Sequence, residues 1–81
     1  MSKIELFDQS GAFYSGKITE DGKVDLFDQS GQYWHGKLKP DGKVDLWDKG
    51  GGYYWGKVTE SGNVNVFDQQ GNQRWYGKVK D

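Results

Sequence analysis

The chain has 81 residues, with eleven basic and twelve acidic side chains and a formal net charge of −1. That length holds one domain, and that balance excludes the strongly basic surface of a simple nucleic-acid binder. The absence of Cys excludes a disulfide staple and a thiolate metal site, and no apolar run approaches the ~20 residues of a membrane span.

Met1-Ser2-Lys3 opens no apolar signal segment. From Lys3 onward the chain divides into four units of about twenty residues. They run 3–22, 23–42, 43–62 and 63–81, and the last carries one extra residue after Gly71 and no closing turn. Each unit reads as a β-hairpin. In the first, Lys3-Ile4-Glu5-Leu6 alternates polar and apolar ahead of Phe7, the period of a half-buried strand. Asp8-Gln9-Ser10-Gly11 then suits a tight turn, with Asp at its first position and Gly supplying a left-handed residue. The return strand is Phe13 to Ile18, and Thr19-Glu20-Asp21-Gly22 turns the chain into the second unit. The same devices recur with Asp28 and Gly31, with Lys39-Pro40-Asp41-Gly42, with Asp48 and Gly51, and with Asp68 and Gly71. No segment has helical spacing. The fold class is all-β, eight short antiparallel strands in an up-and-down meander.

The turns set the register. Placing the turn Gly third in its loop sets Leu26 opposite Trp34 and Val24 opposite Gly36; across the next join Leu38 faces Val44 and Gly36 faces Leu46. One face then collects Ile4, Leu6, Tyr14, Ile18, Val24, Leu26, Trp34, Leu38, Val44, Leu46, Tyr54, Val58, Val64, Val66, Trp75 and Val79. Burying each contributes ~1.5–3 kcal/mol, which opposes much of the chain entropy. Closing eight strands into a small pseudo-fourfold barrel buries that face and removes both edges. The terminal strands carry the pattern closure requires, with Val79 near Ile4 and Lys78 near Glu5. An open solenoid of hairpins is the alternative. Gly16, Gly36, Gly56 and Gly77 are expected to make room for the inward aromatics.

The other face carries cross-strand charges, Lys17 opposite Asp25 and Lys37 opposite Asp45, with Lys57 opposite Asn65. It also carries an aromatic belt. Phe7 lies beside Phe13, Phe27 beside Tyr33 and Trp47 beside Tyr53; His35 lies beside Trp47 and Trp55 beside Phe67. A monomer in water seldom exposes so much contiguous aromatic surface without a use.

The frame Gly22-Lys23, Asp28, Gly31, Gly36, repeated as Gly42-Lys43, Asp48, Gly51, Gly56, resembles the choline-binding and glucan-binding repeats of bacterial cell-wall proteins. The chain departs from that pattern at Val24-Asp25-Leu26 and at Lys37, where the family has aromatics. The resemblance therefore implies hairpins that present aromatics to a ligand, and not choline itself.

The recurrent Asp residues suit local capping of their own turns better than a Ca²⁺ ring or a glycosidase pair. His35 is the one His, and its counterparts Ser15, Trp55 and Tyr76 share no chemistry with it. No catalytic triad, phosphate loop or metal-ligand spacing is present, and no cofactor is implied. The reading is a non-enzymatic, lectin-like binding module in which rings stack on the C–H faces of sugars. Phe27, Tyr33, Trp34, Trp47, Tyr53 and Trp55 are the candidate stacking residues, with Gln29, Gln32 and Asp48 as polar partners. The partner is thus carbohydrate. The alternatives are another protein, or a second copy of the chain in a self-assembling scaffold such as a designed or consensus-like repeat barrel. Stacking of single-stranded nucleic acid on the belt is a lesser alternative, opposed by the charge balance.

Overall fold

In a computed structural model that describes residues 2–81, the chain is a closed barrel; Met1, the start of the N-terminal stretch read above, lies outside the described residues. Its strands are β1 (Ser2–Asp8), β2 (Phe13–Ile18), β3 (Lys23–Asp28), β4 (Tyr33–Leu38), β5 (Lys43–Asp48), β6 (Tyr53–Val58), β7 (Asn63–Asp68) and β8 (Gln73–Lys80). Each pairs antiparallel with the next, and β8 returns to β1. The register is the one the turns dictate. Leu26 faces Trp34, Gly36 faces Leu46, Leu38 faces Val44, and Ile4 faces Val79. The open solenoid is excluded by the β1–β8 ladder.

The two kinds of turn close in the same way. Asp28 N donates to Gln32 O at 3.0 Å, and Lys39 N donates to Lys43 O at 2.8 Å. Gly31 and Gly42 take φ of +91° and +90°, the left-handed region that a Cβ disfavours. The join turns do one thing more. Their Gly carbonyls accept hydrogen bonds from the following hairpin: Leu38 N to Gly22 O at 2.7 Å, Val58 N to Gly42 O at 2.8 Å and Val79 N to Gly62 O at 2.9 Å. Each hairpin is thereby tied to its predecessor by backbone as well as by packing.

All sixteen side chains assigned to the inner face form the core, eleven of them buried and five half-buried. They stack in layers along the barrel axis. Ile18, Leu38, Val58 and Val79 close the end at the joins, while the odd strands fill the middle with Ile4, Leu6 and their counterparts. At the Asp-turn end, one ring from each even strand completes the core. Tyr14 meets Trp34 at 5.4 Å and 75°, Trp34 meets Trp75 at 5.4 Å and 76°, and Tyr54 meets Trp75 at 4.9 Å. These are edge-on and tilted geometries that favour ring pairs. The extra residue of the fourth unit is absorbed by a bulge at Val66/Phe67, so Trp75 still reaches the place that Trp34 holds in the second.

Two expectations are corrected. The strand glycines do not make room for inward aromatics. A Cβ on Gly36 would stand 1.7 Å from the Asp45 carbonyl oxygen and 2.9 Å from Leu46 Cα, and Gly16 has the same relation to Asp25 and Leu26. What these glycines admit is the backbone of the next strand, which is how a short sheet bends tightly enough to close. The cross-strand charges face each other as expected, but among the described residues the ion pairs on these acids run diagonally. Lys39 pairs with Asp45 at 2.9 Å and Lys80 with Glu5 at 2.9 Å, rather than Lys37 and Lys78. The diagonal neighbour lies within reach of a long side chain.

Gly36→Ala is therefore expected to destabilise the barrel by more than about 3 kcal/mol, or to abolish folding. Gly31→Ala meets nothing within 4 Å and suffers only its positive φ, a cost of about 1–2 kcal/mol. Urea unfolding of both variants checks this. Equal midpoints for the two would contradict it.

Candidate functional site

The outer wall is built by the odd-strand residue just before each capping Asp and by its partners on the even strands. Phe27, Tyr33, His35, Trp47 and Tyr53 form one continuous stack across β3 to β6. Successive centroids are 5.0, 5.7, 6.3 and 5.3 Å apart, with interplanar angles between 23° and 42°. The belt is not one ring around the barrel, however. It divides into this five-membered stack, the set Phe13–Phe7–Tyr76, and the pair Trp55–Phe67 at 4.9 Å. Ser15 separates the first two, and Gln73 stands opposite Phe67 where the other hairpins place a ring.

Tyrosine hydroxyls pin this wall. Tyr33 donates to Asp25 and Tyr53 to Asp45, each carboxylate lying two residues before the odd-strand ring. The Tyr53 hydroxyl, helped by Lys39, holds the Asp45 carboxyl below its ordinary value, and the Asp45 carboxylate in turn pushes the Tyr53 phenol up. An aromatic plane fixed in this way loses little rotamer freedom on binding.

The capping aspartates are spent on their turns. Asp8 Oδ1 accepts from Ser10 N at 2.9 Å, Ser10 Oγ at 2.6 Å and Ala12 N at 3.0 Å, and Asp8 Oδ2 accepts from Tyr14 at 2.7 Å. Asp28 holds its loop through Ser30 and Gln32 in the same way. Among the described residues no group of three or more His, Asp or Glu is placed to hold a metal ion.

Of the nine residues singled out in the sequence, Phe27, Tyr33 and Trp55 are exposed, and Trp47 and Tyr53 are half-buried with their rings in the wall. Trp34 is not on the outer face. It is 8% exposed, packed edge-on against Tyr14 and Trp75. Its place on the inner face of the register keeps it out of the belt, and it reaches a groove only at the Asp-turn end, beside Tyr33 and His35. Gln32, Tyr33 and Asp48 border one groove of about 960 Å³ at the Asp-turn end, with His35, Lys49 and Arg74. Asp48 gives that groove little, since Oδ1 accepts from Gly50 N and Gly52 N and Oδ2 from the Tyr54 hydroxyl. Tyr53 and Trp55 border a second groove of about 610 Å³ with Phe67, Asp45 and Lys57. Gln29 is exposed in its turn and lines neither groove.

Sequence reasoning missed Arg74, whose guanidinium lies over the Tyr54 ring at 5.8 Å and 4.0 Å from Asp68. The signal was the extra residue of the fourth unit, which puts a cation beside the groove. Compared with family models, curated proteins and solved structures, the chain matches none.

The caps make the fold acid-sensitive. The Ser10 hydroxyl first, then the Tyr14 hydroxyl, hold Asp8 at about 2. The Gly52 amide lowers Asp48, and at Asp28 the Ser30 hydroxyl and the loop amides outweigh burial, which acts the other way. Carboxyls lowered on folding contribute stability above the unfolded value of about 4 and lose it as pH falls through their folded values. The urea midpoint should be level above about pH 5 and fall between about pH 4 and 2. In Asp8→Asn that acid limb should be shallower. An identical limb would show that the Asp8 cap does not carry it.

Proposed function

We propose that this barrel is a non-enzymatic carbohydrate-binding module whose ligand lies along the outer wall. The observation that carries the reading is the pinned stack Phe27–Tyr33–His35–Trp47–Tyr53, five rings in sequence on one side of the barrel. Sugar rings present C–H faces that match aromatic planes, and their hydroxyls need polar groups at the rim. Gln32 and His35 border the groove beside this stack, and Asp45, Lys39 and Lys57 border the groove next to Trp55. Stacking sites of this kind are weak singly and gain from several being used together. The resemblance to glucan-binding hairpin repeats supports the same reading.

A second reading, an interaction or self-assembling scaffold, is favoured by the spread of exposed rings. Phe7, Phe27, Tyr33, Trp55 and Tyr76 lie on five different strands rather than in one cleft. Sedimentation separates the two, since a dilution-independent monomer removes self-association.

The direct test is an NMR titration with neutral oligosaccharides that follows the four Trp indole signals. The indoles of Trp47 and Trp55 should shift with ligand, and that of Trp75, inside the barrel, should stay. Trp47→Ala should weaken binding about tenfold, equivalent to ~1.4 kcal/mol. Four unmoved indoles at high millimolar sugar would sink the proposal.

A further inference from the structure

The four joins that bring an even strand against the following odd strand are built alike, and three of them hold a ring pair on the outer face. His35 faces Trp47, Trp55 faces Phe67 and Tyr76 faces Phe7. Their centroids are 6.3, 4.9 and 6.1 Å apart, at 27°, 23° and 34°. At the fourth join, β2 against β3, the residue facing Phe27 is Ser15. The strands cannot close over the missing side chain, because Gly16 already holds the neighbouring backbone at its nearest approach and the ladder register is the same as at the other joins.

The groove over Ser15 is about 850 Å³, against about 610 Å³ for its counterpart at the join where Trp55 covers Phe67. Phe13, Phe27 and Tyr33 give it apolar lining, and Lys17, Glu5 and Asp25 lie at its charged margin. The gap is one ring wide in the order of the belt. Phe13 belongs to the stack with Phe7 on one side, and Phe27 to the stack with Tyr33, at 5.0 Å, on the other. Phe27 is 45% exposed, as much as any large apolar residue of the chain among those described. A ring placed on it would extend the five-membered stack by one and give Phe27 the neighbour that Phe7, Trp47 and Phe67 each have.

We propose that this groove binds a small molecule through one planar aromatic ring, of phenol or indole type, stacked on Phe27 in the place that His35, Trp55 and Tyr76 occupy at the other joins. Each of those side chains is an aromatic ring carrying a polar N–H or O–H, and the groove offers apolar rings along one side, and the Ser15 hydroxyl with the Glu5 and Asp25 oxygens not taken by Lys80 and Tyr33 as acceptors for a donor on the ligand. The site shares Phe27 and Tyr33 with the stack proposed for sugar and lies on its Ser15 side, away from Trp47 and Tyr53.

The test titrates the labelled full chain with phenol, with indole and, in parallel, with methyl glucoside, and maps the shifted signals. Phenol and indole should move the Ser15 amide and the Phe27 ring and leave the Trp47 indole in place. Ser15→Trp supplies the ring from the chain itself, so it should raise the thermal midpoint and weaken phenol binding about tenfold or more, whereas Ser15→Ala, which leaves the gap open, should change it by less than about threefold. Should Ser15→Trp not fold, Phe27→Leu serves in its place and should weaken phenol to a similar degree. The proposal is overturned if phenol and indole move signals elsewhere, or if Ser15→Trp or Phe27→Leu binds as tightly as the parent. It is equally overturned if methyl glucoside moves the Ser15 amide as strongly as phenol does, which would assign the groove to sugars; a sugar shift at Phe27 with Ser15 unmoved belongs to the wall and not to the groove.

Discussion

At four places in this barrel, strand backbone stands where a side chain would otherwise be. At Gly16, Gly36, Gly56 and Gly77 the next strand's carbonyl and Cα occupy the space that any side chain would need. Everything else follows from that contact. It lets a sheet of six- to eight-residue strands curl through a full turn, so that no edge is left for a neighbour to extend. It interrupts the even strands at mid-height, so the interior there is filled by Ile4, Leu6, Val24 and Leu26 and their repeats from the odd strands. The aromatic quartet and the aliphatic residues of the joins are left to close the two ends. Because the spacing is enforced by backbone, it is closely similar at every join whatever the outer side chains are, and this is why Ser15 opposite Phe27 leaves a larger groove rather than a collapse.

Charge in this chain is used locally. Twelve acidic side chains in 81 residues could suggest a binding or catalytic surface. The capping Asp8, Asp28, Asp48 and Asp68 instead accept the amides of their own loops, and Asp25 and Asp45 fix the tyrosines of the outer wall. The acids therefore shape the surface on which the aromatic rings stand. Exposed ion pairs such as Lys80 with Glu5 add ~0.2–1 kcal/mol each at most and serve register more than stability.

Most of this was legible in the sequence because the repeat states its register twice, once at each kind of turn. Asp28-Gln29-Ser30-Gly31 and Lys39-Pro40-Asp41-Gly42 independently send Val24, Leu26, Leu38 and Val44 to one face, and the ladders agree. What escaped reading was geometry that periodicity does not encode. A Gly opposite Leu46 looks like room for a large side chain, and only the curvature of the closed sheet shows that backbone fills it. Trp34 counted both as core and as ligand-stacking residue, and it is packed inside while lining a groove only at the Asp-turn end. Two of the divisions of the belt fall at Ser15 and at Gln73, next to the bulge at Val66/Phe67, local departures from a pattern otherwise read as continuous.

The functional account rests on a closed, rigid wall, and closure rests on one ladder, between β1 and β8. Amide hydrogen exchange tests it most directly. If the ring is closed, the inter-strand amides of Ser2–Asp8 and Gln73–Lys80 exchange as slowly as those of β4 and β5, and all eight strands open together in denaturant. Fast exchange confined to the facing edges of β1 and β8, with the six inner strands still protected, would contradict the barrel and with it the fixed spacing on which the outer wall and the Ser15 groove depend.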